Sequence, residues 1–109
     1  MEIFFSDDKL QELCENDKQM TKKLGKIRAQ KLKRRIADLR AASSVSDLVA
    51  GRPHPLKYKL KDAYAIDLTD MIRLIFESAN IPIPRNNDET VDWKNVTMVR
   101  IVSIEDYHE

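Results

Sequence analysis

Tyr64-Ala65-Ile66-Asp67-Leu68-Thr69-Asp70-Met71-Ile72-Arg73-Leu74-Ile75-Phe76 is the stretch on which the fold turns. Residues 64–68 and 71–76 are rich in good strand formers and read as two strands. Thr69-Asp70 joins them as a short hairpin connection, made without the favoured Asn-Gly or Asp-Gly. Alternation then assigns faces. Ile72, Leu74 and Phe76 share the side expected to pack on helices, while Met71, Arg73 and Ile75 share the other. An arginine on the helix-free face of a central strand is well placed to meet an anion. The plainer role is a cross-strand partner for Asp67 or Glu105.

Upstream, Ile3-Phe4-Phe5 reads as a first strand that ends at Ser6-Asp7-Asp8. Ser6 suits a helix cap and the two acids suit a first turn. Leu10, Leu13 and Cys14 mark one face of the helix that follows. A longer helical stretch covers about 18–42, where Ala29, Leu32, Ile36 and Leu39 form one stripe. Met20, Leu24 and Ile27 are rotated from it by roughly a third of a turn, and Gly25 between the two sets marks a bend or break. Ser46 suits the cap of a short turn through 47–49, and Gly51 to Pro55 is irregular by its glycine and prolines. Downstream, residues 78–95 read as a long polar loop, and Val96 to Ile104 as the last strand. The expected architecture is an α+β domain spanning 1–109, ordered β-α-α-β-β-β. Its two N-terminal helices pack on one face of a mostly antiparallel sheet.

The composition narrows the setting. No apolar run is long enough to span a bilayer, and no signal-peptide pattern opens the chain, so a soluble intracellular protein is expected. Cys14 is the sole cysteine, so no internal disulfide forms. The near-neutral net charge of +1 hides an asymmetry. Residues 18–61 carry fourteen lysines and arginines against two acids, a surplus of twelve; the rest carries five bases against sixteen acids, a deficit of eleven. Such a basic block suits phosphate or an acidic partner, though a solvated helix face needs the same residues.

Histidine occurs twice, His54 within Arg52-Pro53-His54-Pro55-Leu56-Lys57 and His108 within Asp106-Tyr107-His108-Glu109. Imidazole takes and gives protons near neutral pH, so two histidines beside charged or phenolic partners invite an acid–base reading. The plain alternative is one histidine in a loop and one at a terminus, both facing solvent.

His54-Pro55-Leu56-Lys57, Tyr64-Ala65-Ile66-Asp67-Leu68, Arg73-Leu74-Ile75-Phe76 and Ile104-Glu105-Asp106-Tyr107-His108 together resemble the HigB-like toxins. These belong to the RelE/ParE superfamily of type II toxin–antitoxin systems. The resemblance covers essentially the whole chain, including Ala41-Ala42 and Asp47-Leu48, and rests on the order and spacing of short motifs. It implies a RelE-like fold and a bacterial cytoplasmic toxin that cleaves mRNA in the decoding site of a translating ribosome, without metal or cofactor. It also implies a helix-turn-helix, HigA-like antitoxin, and operator DNA bound through the toxin–antitoxin complex. His54, Lys57, Arg73, Asp106, Tyr107 and His108 fall on the family's functional positions. The chain departs from the pattern at Tyr58, where many members have glycine, and in the long segment 78–95.

RNA carries its own nucleophile, the 2′-hydroxyl. An enzyme must deprotonate it, protonate the departing 5′-oxygen and stabilise charge on phosphorus. His54 and His108 suit the base and acid roles in either order, and Asp106 suits an imidazole-orienting role. Lys57 and Arg73 suit the non-bridging oxygens, and Tyr107 suits base stacking or a phosphate hydrogen bond. Lys26, Lys33, Arg34, Arg52, Lys59 and Lys61 are the expected RNA- and ribosome-binding cations; Lys57, Lys59 and Lys61 would line one edge if extended. Competing readings are a ParE-like gyrase inhibitor and a non-catalytic regulatory or RNA-binding relative of the same fold. A metal site from Asp106, His108 and Glu109 lacks a recognised ligand spacing.

Overall fold

A computed structural model describes residues 1–69 and 71–106. β1 (Glu2–Phe5) leads into α1 (Asp8–Glu15), α2 (Asp17–Leu24) and α3 (Lys26–Ala41). Ser6 does not cap α1. Its backbone N–H donates to Ile101 O and its hydroxyl to Val102 O, so it prolongs the β1 ladder, and Asp7 caps instead by accepting from Leu10 N–H at 2.8 Å. Asn16 ends α1 through its N–H to Glu12 O and caps α2 by accepting from Gln19 N–H at 3.0 Å. The long helical stretch breaks at Gly25, whose φ of +83° no ordinary helix residue adopts, so three helices stand where two were expected. The break explains the rotated stripe. Met20 is buried on α2, while Ile27 on α3 is left 70% exposed.

The remaining strands are β2 (His54–Pro55), β3 (Ala63–Asp67), β4 (Ile72–Ser78) and β5 (Met98–Asp106). They join β1 in one sheet of order β1-β5-β4-β3-β2, in which only β1 and β5 run parallel. The alternation expected for β4 holds: Ile72, Leu74 and Phe76 enter the main core with Leu32, Ile36 and Leu39 of α3. Ile75 joins Ala63 and Ala65 in a small second cluster on the opposite face, with Leu56 and Val102 against it. β5 carries a bulge, because Ile75 pairs with Ser103 but Phe76 pairs with Ile101, leaving Val102 as the extra residue. The bulge reverses the facing of every residue beyond it.

The segment 78–95, expected as a long polar loop, is exposed through most of 81–90 but packs on the sheet at its two ends. Ala79, Val91 and Val96 are buried, and Trp93 lies with its ring centroid 4.8 Å from Tyr64 and 6.4 Å, edge-on, from Phe76. The segment extends the covering layer of the sheet past the helices, and the aromatic contacts are worth about 0.5–1.5 kcal/mol each beyond the area they bury. Its ends are tied by Asn80, whose Oδ1 accepts from Thr97 N–H at 3.0 Å and Met98 N–H at 3.2 Å. Its middle is tied by Arg85, which donates to both carboxylate oxygens of Asp62 at 2.9 and 3.0 Å. Among the described residues, no helix is long and apolar enough to cross a membrane.

Candidate functional site

The chemistry-bearing residues gather on the helix-free face of the sheet. Pairing places His54 opposite Ala65, Ala65 opposite Ile75, and Asp67 opposite Arg73, which in turn faces Glu105. Directly opposed residues share a face, so His54, Asp67, Arg73 and Glu105 rim a floor made of Ala63, Ala65 and Ile75. Two alanines on β3 keep that floor low. From ordinary strand spacings, His54 and Arg73 lie roughly 12 Å apart at Cα, a gap that their side chains can close around a phosphodiester.

His54 is held by an unusual turn. Gly51 has φ +84° and Arg52 φ +49°, two successive left-handed residues. Gly51 O accepts from Asp67 N–H at 2.6 Å. A Cβ at Gly51 would collide with Ile66 Cγ2 and lie 2.8 Å from Asp67 O, so only glycine fits. Arg52 carries a Cβ in the same region, a strain of order 1–2 kcal/mol, and its side chain is anchored by Nε donating to Asp67 Oδ2 at 2.8 Å. His54 Nδ1 then lies 2.8 Å from Arg52 O. A carbonyl oxygen only accepts, so Nδ1 is the donor in this contact, and the imidazole tautomer that satisfies it has its lone pair on Nε2.

The other expected residues separate. Arg73 stands in register between Asp67 and Glu105, the two carboxylates expected as cross-strand neighbours. Asp106 pairs with Ile72 and therefore issues from the helix side, not the Arg73 side. Alternation counted from buried Ile101 would have set Ile104 and Asp106 on the face of Arg73; the bulge at Val102 puts Ser103 and Glu105 there instead. Lys57 is exposed one residue past the β2 ladder, and by strand parity falls with Pro55 rather than with His54 and Leu56. Lys59 lies in a 3-10 turn, Tyr58–Leu60, that replaces the expected extended edge. Lys57, Lys59 and Lys61 are still all exposed, around a turn rather than along a line. Tyr58 occupies φ +59°, a left-handed conformation that glycine adopts freely, and is 88% exposed. Tyr107 and His108 lie outside the described residues.

The positive surplus surrounds this face rather than filling it. An open groove of about 1110 Å³ runs between the α2–α3 junction and the end of the β3–β4 hairpin. Lys26, Arg28, Lys31 and Arg52 line it, with Ile27 and Met71 contributing exposed apolar surface. Arg34 is exposed on α3, whereas Lys33 is turned toward α2, its Nζ 3.0 Å from Asp17 Oδ2. Cys14 takes no part: burial, then the neighbouring Glu15, pushes its thiol up to about 11, and it stays protonated in the core. Reading residues one at a time missed Gly51 and the double hold of Asp67. The glycine–arginine–proline run before His54 was the available signal.

No protein-family model and no curated protein sequence matches the chain. Solved structures do. A YoeB/ParE toxin from Agrobacterium tumefaciens superposes with TM-score 0.60 at 10% identity, over 99% of this chain and 100% of that one. A chain of the YoeB–YefM complex from Staphylococcus aureus gives 0.59 at 17% identity, over 100% and 98%. The YoeB dimer from Staphylococcus aureus gives 0.57 at 19%, over 100% and 98%. Three helices, a mixed five-stranded sheet and these superpositions place the chain in the α+β fold of the YoeB/ParE-type toxins.

Proposed function

We propose that this protein is the toxin of a type II toxin–antitoxin pair and cuts mRNA on the translating ribosome. The observation that carries the reading is His54, fixed with Nε2 available on the same open sheet face as Arg73. In the proposed reaction Nε2 removes the proton of the RNA 2′-hydroxyl. The 2′-oxygen attacks phosphorus, the bond to the 5′-oxygen breaks, and a second acid, His108, returns a proton to it. The products are a 2′,3′-cyclic phosphate and a 5′-hydroxyl; because the RNA's own 2′-oxygen is the nucleophile, the step needs no covalent enzyme intermediate. Arg73 stabilises the charge that grows on the non-bridging oxygens, an effect worth about a hundred- to a thousand-fold. Lys57 assists by reaching round the β2 edge. Tyr107 stacks on a base.

The exposed cations of the groove and of the turn at 58–60 hold rRNA and mRNA phosphates without reading sequence. The spacing of the His54–Lys57 and Arg73–Phe76 motifs supports the HigB-like branch. A helix-turn-helix antitoxin is then the cytoplasmic partner, and operator DNA binds through that complex. The test adds purified protein to a bacterial translation extract and maps cuts by primer extension, beside His54→Ala and a ribosome-free control. Ribosome-dependent cuts slowed at least about a hundred-fold in His54→Ala are expected. Intact mRNA with ongoing translation overturns the reading, and inhibition of gyrase supercoiling would replace it.

A further inference from the structure

We propose that Asp67 is a positioning residue that sets the tautomer of His54 through Arg52. Asp67 holds the turn at two points: its backbone N–H donates to Gly51 O at 2.6 Å, and its carboxylate accepts from Arg52 Nε at 2.8 Å. Directly after these two holds comes the Arg52 carbonyl, which accepts from His54 Nδ1 at 2.8 Å. Neither hold touches the imidazole. Both fix the direction of the carbonyl that does. Arg52 adopts φ +49°, a conformation an arginine leaves readily unless something restrains it, and Asp67 supplies the restraint from the adjoining strand. With the carbonyl in place, the Nδ1–H form is the bonded one and Nε2 is left as the base. Without it, the imidazole reverts to a mixture in which the Nε2–H form, inactive as a base, is prominent.

The link to catalysis rests on the nuclease reading; the link to the tautomer does not. Long-range 1H–15N NMR of the ring nitrogens reads the tautomer directly, with His54→Gln assigning the His54 signals against His108. Wild-type protein is expected to show a protonated Nδ1 and an unprotonated Nε2. Asp67→Ala is expected to move the pattern toward protonated Nε2. Asp67→Asn keeps an oxygen acceptor for Arg52 Nε and should restore most of the wild-type pattern. Arg52→Ala keeps the carbonyl but removes its anchor, and should reproduce Asp67→Ala even if that variant folds poorly. In the cleavage assay, kcat of Asp67→Ala should fall about tenfold with KM within about twofold, because only the fraction of base in the active tautomer changes. An unchanged Nδ1–H pattern in either alanine variant overturns the proposal. A shifted tautomer in a protein that never cuts RNA upholds it and overturns the nuclease reading alone.

Discussion

On the helix side of the sheet, Leu74, Phe76, Val99 and Ile101 are sealed from solvent by α3, α2 and the 79–96 segment. On the other side, among the described residues, the buried floor is Ala63, Ala65 and Ile75, and around it stand His54, Asp67, Arg73, Glu77 and Glu105. The two faces are made by alternate residues of the same strands. Their difference separates two kinds of work. Apolar area removed from water, about 1.5–3 kcal/mol for each large side chain, holds the molecule together on one side. On the other, small floor residues and ionised rims contribute little net burial and leave room for a ligand. Substitutions on the first face should therefore be read in unfolding, and those on the second in activity.

The sharpest way to break that separation is to empty the covered face. Phe76→Ala removes a fully buried ring that touches both Tyr64 and Trp93, and should cost about 3–5 kcal/mol in urea unfolding. A cost under about 1 kcal/mol would show that the 79–96 segment is not seated on the sheet. Gly51→Ala probes the seam between the faces. Its φ of +84° and the crowding by Ile66 Cγ2 and Asp67 O predict a loss of about 2–4 kcal/mol, with the His54 turn displaced at the same time. Unchanged stability would mean that the turn shifts freely.

The smallest effect belongs to the rim of the covering segment. Hydrogen bonds from Arg85 hold the Asp62 carboxyl below the usual carboxylate range. A carboxyl with a lower pKa folded than unfolded stabilises the fold above its unfolded value, about 3.9, and stops doing so as pH falls through its folded value. Asp62→Asn should thus lower the urea midpoint slightly at pH 7, and the gap from wild type should close as pH drops below about 4. A gap that widens in acid would contradict the pairing.

Much of this division was legible in the residues. Period-two alternation in 72–76 assigned Leu74 and Phe76 to the core and Arg73 to the open face, and the rotated apolar sets around Gly25 marked the helix break. Three features were not legible, each for a physical reason. The bulge at Val102 changes no residue type, yet it turns Ser103 and Glu105 onto the face of Arg73 and Asp106 onto the opposite one. The 79–96 segment is polar in composition, which gives no sign that Trp93 packs against Tyr64. The hold of Asp67 on Gly51 is a backbone hydrogen bond between residues sixteen apart, which no side-chain pattern encodes.

Arg73 and Leu74 are neighbours on β4 that point to opposite faces, so one paired measurement tests the account most directly. Unfolding free energy and ribosome-dependent mRNA cleavage would be measured for Arg73→Ala and Leu74→Ala. The account predicts that Arg73→Ala keeps stability within about 1 kcal/mol while cleavage falls at least about a hundred-fold. Leu74→Ala should lose about 2–5 kcal/mol while each folded molecule cuts at nearly the wild-type rate. Full cleavage by Arg73→Ala, or loss of cleavage in folded Leu74→Ala alone, would contradict the assignment of chemistry to the open face.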